Sequence, residues 1–167
     1  MTHVGGCLPN HWKSLGRLLA SGIRAGVAYG ATVFAVGFLL GTARILLLAP
    51  RVGAAAAVSI EAPIIMTASW YVSRFWMARL AIRADIGLRI LAGAVAFATL
   101  QILEVTLAIG LFRRSMGAYL ADLSSTAGAI GLAAQICVAT FPLLITVMSR
   151  RARRSAGAPL ESTRVES

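Results

Sequence analysis

Negative charge is scarce in this chain. Six Asp and Glu residues stand against sixteen Lys and Arg in 167 residues, a formal net charge of +10. Lysine is nearly absent as well: Lys13 stands alone and the other fifteen basic residues are Arg. Charged residues make up 13% of the chain, about half the ~25% of a soluble domain. With a mean hydropathy of +0.79, the composition excludes an ordinary water-exposed surface and points to a bilayer as the solvent. Cysteine is limited to Cys7 and Cys137, which excludes a disulfide framework and a paired-cysteine zinc site. Histidine is limited to His3 and His11, both ahead of the first apolar run. No metal site is expected from them, since a metal needs more ligands than this. There is no H-E-x-x-H, no G-x-S-x-G and no phosphate-binding loop, so no catalytic residue, no cofactor and no enzyme activity are expected. Cys7 follows Gly5 and Gly6, as at a lipoprotein cleavage site, but no apolar stretch precedes it. No small-residue cleavage site follows the first apolar run, so a cleavable signal is not expected either.

What the chain has in abundance is long apolar runs. Arg24 and Arg44 bracket 19 uncharged residues. Arg51 and Arg74 bracket 22 with one charge, Glu61; Arg89 and Arg113 bracket 23 with one, Glu104; Asp122 and Arg150 bracket 27 with none. A helix crosses the hydrocarbon with ~20 mainly apolar residues. Lipid demands a helix or a closed barrel, and the runs lack the alternation of barrel strands. The reading is an all-α membrane protein: an antiparallel bundle of four transmembrane helices, about 25–47, 53–73, 88–112 and 127–149. Residues 1–22 form an N-terminal segment, 23–149 the transmembrane domain, and 150–167 a basic, disordered tail. The short links, one of them turning near Pro50 and Gly53, favour sequential antiparallel neighbours. The second link either continues helix 2 past the membrane surface or lies along it.

Arginine also sets orientation. Lys13, Arg17 and Arg24, then Arg74, Arg79, Arg83 and Arg89, then Arg150, Arg151, Arg153, Arg154 and Arg164 fall on one side. Only Arg44, Arg51, Arg113 and Arg114 fall on the other. Twelve against four places both termini in the cytoplasm. Membrane orientation accounts for the positive charge, so no nucleic-acid partner is expected. The expected partners are the bilayer, its anionic head groups, and a second copy or another membrane protein.

Charges inside the spans need partners. At 1.5 Å per residue, Glu61 lies roughly 15 Å from the Arg51 flank and Glu104 roughly 13 Å from Arg113. Arg44, Gln101 and Gln135 fall in the same outer half. A charge facing lipid at the bilayer centre costs at least ~2.5 kcal/mol, so these groups are expected to face inward together. The expected cluster is Arg44 between Glu61 and Glu104, with Gln101 and Gln135 donating hydrogen bonds; two carboxylates against one Arg leave one uncompensated. Gly26, Gly30, Gly37 and Gly41 on helix 1, and Gly128 and Gly131 on helix 4, are the expected helix-packing positions. Pro63 and Pro142 are the expected kinks.

The stretch from Phe34 to Trp70 carries Gly41, Thr42, Arg44, Pro50, Glu61, Pro63, Ser69 and Trp70. It resembles a group of small four-span bacterial inner-membrane proteins with no assigned function. That resemblance implies a bacterial inner membrane and adds no activity. The functional expectation is an accessory, structural or interaction subunit held by its polar cluster. The alternative is a small oligomeric ion, proton or solute transporter or channel using Glu61 and Glu104.

Overall fold

A computed structural model describes residues 9–156, all of whose long elements are helical. Helix α1 spans Pro9–Ala43 and runs on through a π-helical stretch, Arg44–Leu48, into the short α2, Ala49–Val52. Helix α3 is Ala54–Arg79 and α4 is Ile86–Thr106, which passes into a second π-helical stretch, Leu107–Leu111. A short α5, Met116–Leu123, precedes α6, Thr126–Ala156. Four stretches are long and apolar enough to cross a membrane: Ser14–Val52, Ala54–Arg79, Ile86–Leu111 and Thr126–Ser155.

These helices outrun the lengths expected from the apolar runs. Residues 9–22 belong to the first long helix rather than to a separate segment. Arg150 to Arg154 lie within α6, so the helix enters what the composition suggested was a disordered tail. Residues 1–8 and 157–167, with His3, Cys7 and Arg164, lie outside the described residues. Pro50 follows directly on the π-helical stretch, which re-routes the backbone hydrogen bonds of the turn before it. The reversal is made at Gly53, whose φ of 82° suits glycine. The second link resolves as a continuation of α3 to Arg79. Asp85 then starts α4, its carboxylate accepting from the Leu88 N–H at 3.1 Å. The third link contains α5, capped by the Ser115 hydroxyl accepting from the Ala118 N–H. Helices α3 and α6 continue through Pro63 and Pro142. Each proline carbonyl accepts a hydroxyl one turn on, from Thr67 at 2.8 Å and from Thr146 at 3.2 Å.

Helix α1 packs against α4 and α3, and α6 packs against the same two. Consecutive helices α3 and α4 therefore sit across the bundle from one another, and α1 runs parallel to α4, Gly26 meeting Ala92 and Gly30 meeting Ala96, so the expectation of sequential antiparallel neighbours does not hold throughout. Two buried layers fill the centre. Ala25, Met77, Ile82, Leu88 and Ala92 form one, towards the end that holds Arg89. Tyr29, Val33, Ala96, Leu100 and Val138 form the other. Tyr29 is fully buried, and its hydroxyl crosses to donate to the Val138 carbonyl at 2.9 Å. The Trp76 indole N–H donates to the Thr32 hydroxyl at 3.0 Å, and Trp70 meets Phe141 edge to face. Small residues sit inside, while Leu39, Leu46, Ile102 and Tyr71 point outward. That inversion suits a lipid surround.

The small residues act through backbone approach. A Cβ on Gly26 would lie 2.6 Å from the Ala92 carbonyl oxygen, and one on Gly30 would lie 2.7 Å from that of Ala96. A Cβ on Gly93 would collide with the Ala139 carbonyl. Gly128 lies against the backbone of Asp122 and Leu123 in the preceding link. The other three expected packing glycines differ. Gly37 meets only an Ile65 methyl at ordinary distance, Gly41 meets only Glu61, and Gly131 faces open space. All three line a cavity, because the helices that touch near Gly30 diverge towards Gly53.

Candidate functional site

The cavity occupies the Gly53 end of the bundle and has a volume of about 570 Å³. That is within the ~300–1,000 Å³ of small-molecule pockets. Each membrane-length helical stretch contributes a polar side chain: Arg44 from the π-helical continuation of α1, Glu61 from α3, Glu104 from α4 and Gln135 from α6. Tyr119 and Asp122 enter from α5. Val33, Leu100 and Val138 belong both to its lining and to the buried layer beneath it, so they form a floor.

Local backbone explains the placement. Arg44 opens the π-helical stretch at the end of α1, and Glu104 lies three residues before the one at the end of α4. Such widened turns shift the side chains around the helix axis and recur at functional sites. Arg44 Nε lies 2.6 Å from Glu61 Oε2, and the two side chains are 22% and 16% exposed. The contact is a close ion pair rather than an aligned hydrogen bond, for Arg44 Nε has no hydrogen-bond acceptor in good geometry. Across the cavity, the Gln135 amide donates to Glu104 Oε1.

The structure therefore forms two pairs around one space. Arg44 is paired with Glu61 and Glu104 with Gln135; Glu104 makes no ion pair with Arg44. The short reversal at Gly53 brings α1 and α3 together, which commits the guanidinium to Glu61. Gln101 stands apart: it does not line the cavity, and its Oε1 is buried without a hydrogen-bond partner. The uncompensated carboxylate is thus Glu104.

Three contributions have no counterpart in the apolar-run analysis. Tyr119 is one; burial, and then the charge of Glu104, pushes its hydroxyl pKa up. The second is an exposed ion pair, Arg114 with Asp122, at the mouth. The hydrogen bond from Arg114 holds the Asp122 carboxyl below the usual carboxylate range, and the same bond raises Arg114. The third is Gly93, whose only sequence signal is the small-residue run Ala92 to Ala94.

A depressed carboxylate contributes stability above its ordinary pKa and loses it as pH falls through the depressed value. Lowering the pH into that acid range should therefore bring the Tm of the wild type towards that of Asp122→Asn. Above the ordinary range the variant should melt slightly lower, by little, because both side chains are exposed. Parallel Tm curves across the acid range would show that the pair contributes nothing.

Among the described residues no group of three or more His, Cys, Asp and Glu is placed to hold a metal. The cavity groups can accept or release a proton at Glu104 and hydrogen-bond a polar solute. Compared with known proteins, the chain matches no family model, no curated protein and no solved structure.

Proposed function

We propose that this chain is a multi-pass protein of the bacterial inner membrane with no enzymatic activity, serving as an accessory or interaction subunit. Its four long helices cross the bilayer alternately, with both ends in the cytoplasm. The Arg asymmetry supports that orientation. The expected neighbours are anionic head groups at the Arg89 end, and a second copy or another membrane protein along the apolar faces. The observation that carries the accessory reading is the packed layer across the middle of the bundle. Backbone contacts at Gly26, Gly30 and Gly93 and the buried Tyr29 close the space beneath the cavity. A solute entering at Gly53 meets a floor, so one copy offers no route across.

Orientation is read by thiol labelling. Cys7 and Cys137 are replaced by Ser, and single cysteines are placed at Val52 and Ala152. In intact cells an impermeant reagent should label Val52→Cys and spare Ala152→Cys until the membrane is opened. Labelling of Ala152→Cys in intact cells overturns the orientation.

One observation favours a second reading, an oligomeric transporter or channel: Glu104 faces a cavity with no cation paired to it. Reconstituted protein separates the two. Proton and potassium flux into liposomes no faster than in protein-free controls supports the accessory reading. Faster flux that Glu104→Gln or Glu61→Gln abolishes replaces it with transport.

A further inference from the structure

The opposite end of the bundle holds a second cavity of about 720 Å³, bounded by α3, the turn at residues 80–85, α4 and α6. Its polar lining is basic: Arg74, Arg89 and the Ser149 hydroxyl, with no carboxylate among the residues that line it. Trp70, Ile145 and Met148 give it an apolar flank. Arg89 is only 8% exposed. Its Nη2 donates to the Ile82 carbonyl at 2.9 Å and its Nε reaches the Arg83 carbonyl at 3.4 Å, which fixes the guanidinium against the turn. Its Nη1 is buried with no hydrogen-bond partner.

A buried cation with an unused donor edge is costly unless something outside the chain satisfies it. Nothing within the described chain does so. Glu61, Glu104 and Asp122 line the other cavity. Asp85, the remaining acid among the described residues, caps α4 and is in no ion pair. Arg79, Arg83 and Arg150 add further positive charge around the same end, and Arg150 donates to the Ala84 carbonyl.

We propose that this cavity binds the phosphate diester of an anionic phospholipid, with Arg89 Nη1 and Arg74 as donors and the acyl chains against Ile145, Met148 and Trp70. A planar guanidinium fixed on one edge is prearranged for bidentate phosphate contact on the other. The head group is a glycerol-type anion rather than an ammonium-bearing one, because the cavity offers no carboxylate to a lipid amine. The inference rests on the chain being embedded in a bilayer and not on which side this end faces. The labelling of Val52→Cys and Ala152→Cys tests the orientation separately.

The test uses the full chain in neutral detergent, with dioleoyl phosphatidylglycerol, dioleoyl phosphatidylethanolamine and inorganic phosphate as probes. Bound lipid is counted by native mass spectrometry and stabilisation is read as Tm. Phosphatidylglycerol should bind about tenfold more tightly than phosphatidylethanolamine, whose ammonium meets two arginines and no carboxylate, a difference on the scale of one unfavourable like-charge contact. Arg74→Gln should weaken phosphatidylglycerol by about fivefold, and Arg89→Lys by about tenfold through loss of the fork. Arg113→Gln, at the far end, should leave it unchanged. If Arg89→Lys fails to fold because the turn is lost, Arg74→Gln decides alone, since Arg74 is exposed and holds no turn carbonyl. Equal binding of the two lipids, or wild-type binding by Arg74→Gln, overturns the proposal. Displacement of phosphatidylglycerol by millimolar inorganic phosphate also overturns it, and assigns the cavity to a soluble anion.

Discussion

Glu61→Ala should destabilise the protein by about 3 kcal/mol, because it leaves the Arg44 guanidinium inside the bundle without its counter-charge. The ion pair is close and largely shielded, with Nε 2.6 Å from Oε2. No second carboxylate takes over, since Glu104 is turned to Gln135. Arg44→Ala should be milder, because a lone carboxylate can take up a proton whereas a guanidinium stays charged. Removing both charges, as in Arg44→Leu with Glu61→Leu, should recover most of the loss; replacing a shielded pair by apolar groups is often neutral or stabilising. Unfolding midpoints in a mild detergent measure all three. If Glu61→Ala melts within about 0.5 kcal/mol of wild type, in the range of ordinary surface changes, the pair is solvated and structurally idle.

Gly30→Val should be as damaging. Even a single Cβ at position 30 would sit 2.7 Å from the Ala96 carbonyl oxygen and 3.0 Å from the Ala96 Cα. Both are backbone atoms, so α1 and α4 must separate to admit it. Overpacking of this kind costs about 1–3 kcal/mol, and a branched side chain belongs at the upper end. Gly93→Val should behave alike, by forcing α4 from Ala139 on α6. Gly131→Ala and Gly37→Ala are the controls. The first meets open space and the second meets a methyl at 3.7 Å, so both should stay within about 0.5 kcal/mol of wild type. A flat Tm series across all four glycines would mean that the helices do not pack through these contacts.

How much of this was legible in the chain differs from feature to feature. The four long helices were legible because bilayer thickness sets a minimum apolar length, and each run meets it. The helix ends were not, because hydropathy reports where lipid is tolerated and not where backbone hydrogen bonding stops. Helix α5 and the two π-helical stretches are apolar like the runs beside them, so hydropathy does not set them apart. Arg44 and Glu61 could be matched by depth across a short reversal, and so could Glu104 and Gln135. The choice between Glu61 and Glu104 for the single guanidinium depended on how far the helices diverge, which is a property of the whole bundle. The two GxxxG patterns show the same limit. Gly26 and Gly30 lie on backbone of α4, while Gly37 and Gly41, on the same helix with the same spacing, face the cavity. Arg89 read as one more flanking charge, since burial of a guanidinium behind a turn leaves no mark in residue order.

The crossed order of the helices has a consequence for synthesis. A chain made from its N-terminus inserts α1 and α3 before α4 exists, yet the glycine face of α1 fits the backbone of α4. Until α4 arrives, Gly26 and Gly30 have no surface to rest on. The early hairpin is held by contacts between α1 and α3, of which Arg44 with Glu61 is the charged one. A nascent chain stalled after Arg79 should therefore depend on that pair more than the finished protein does. The carboxylate inside the second span would then serve first as a clasp for a half-made molecule.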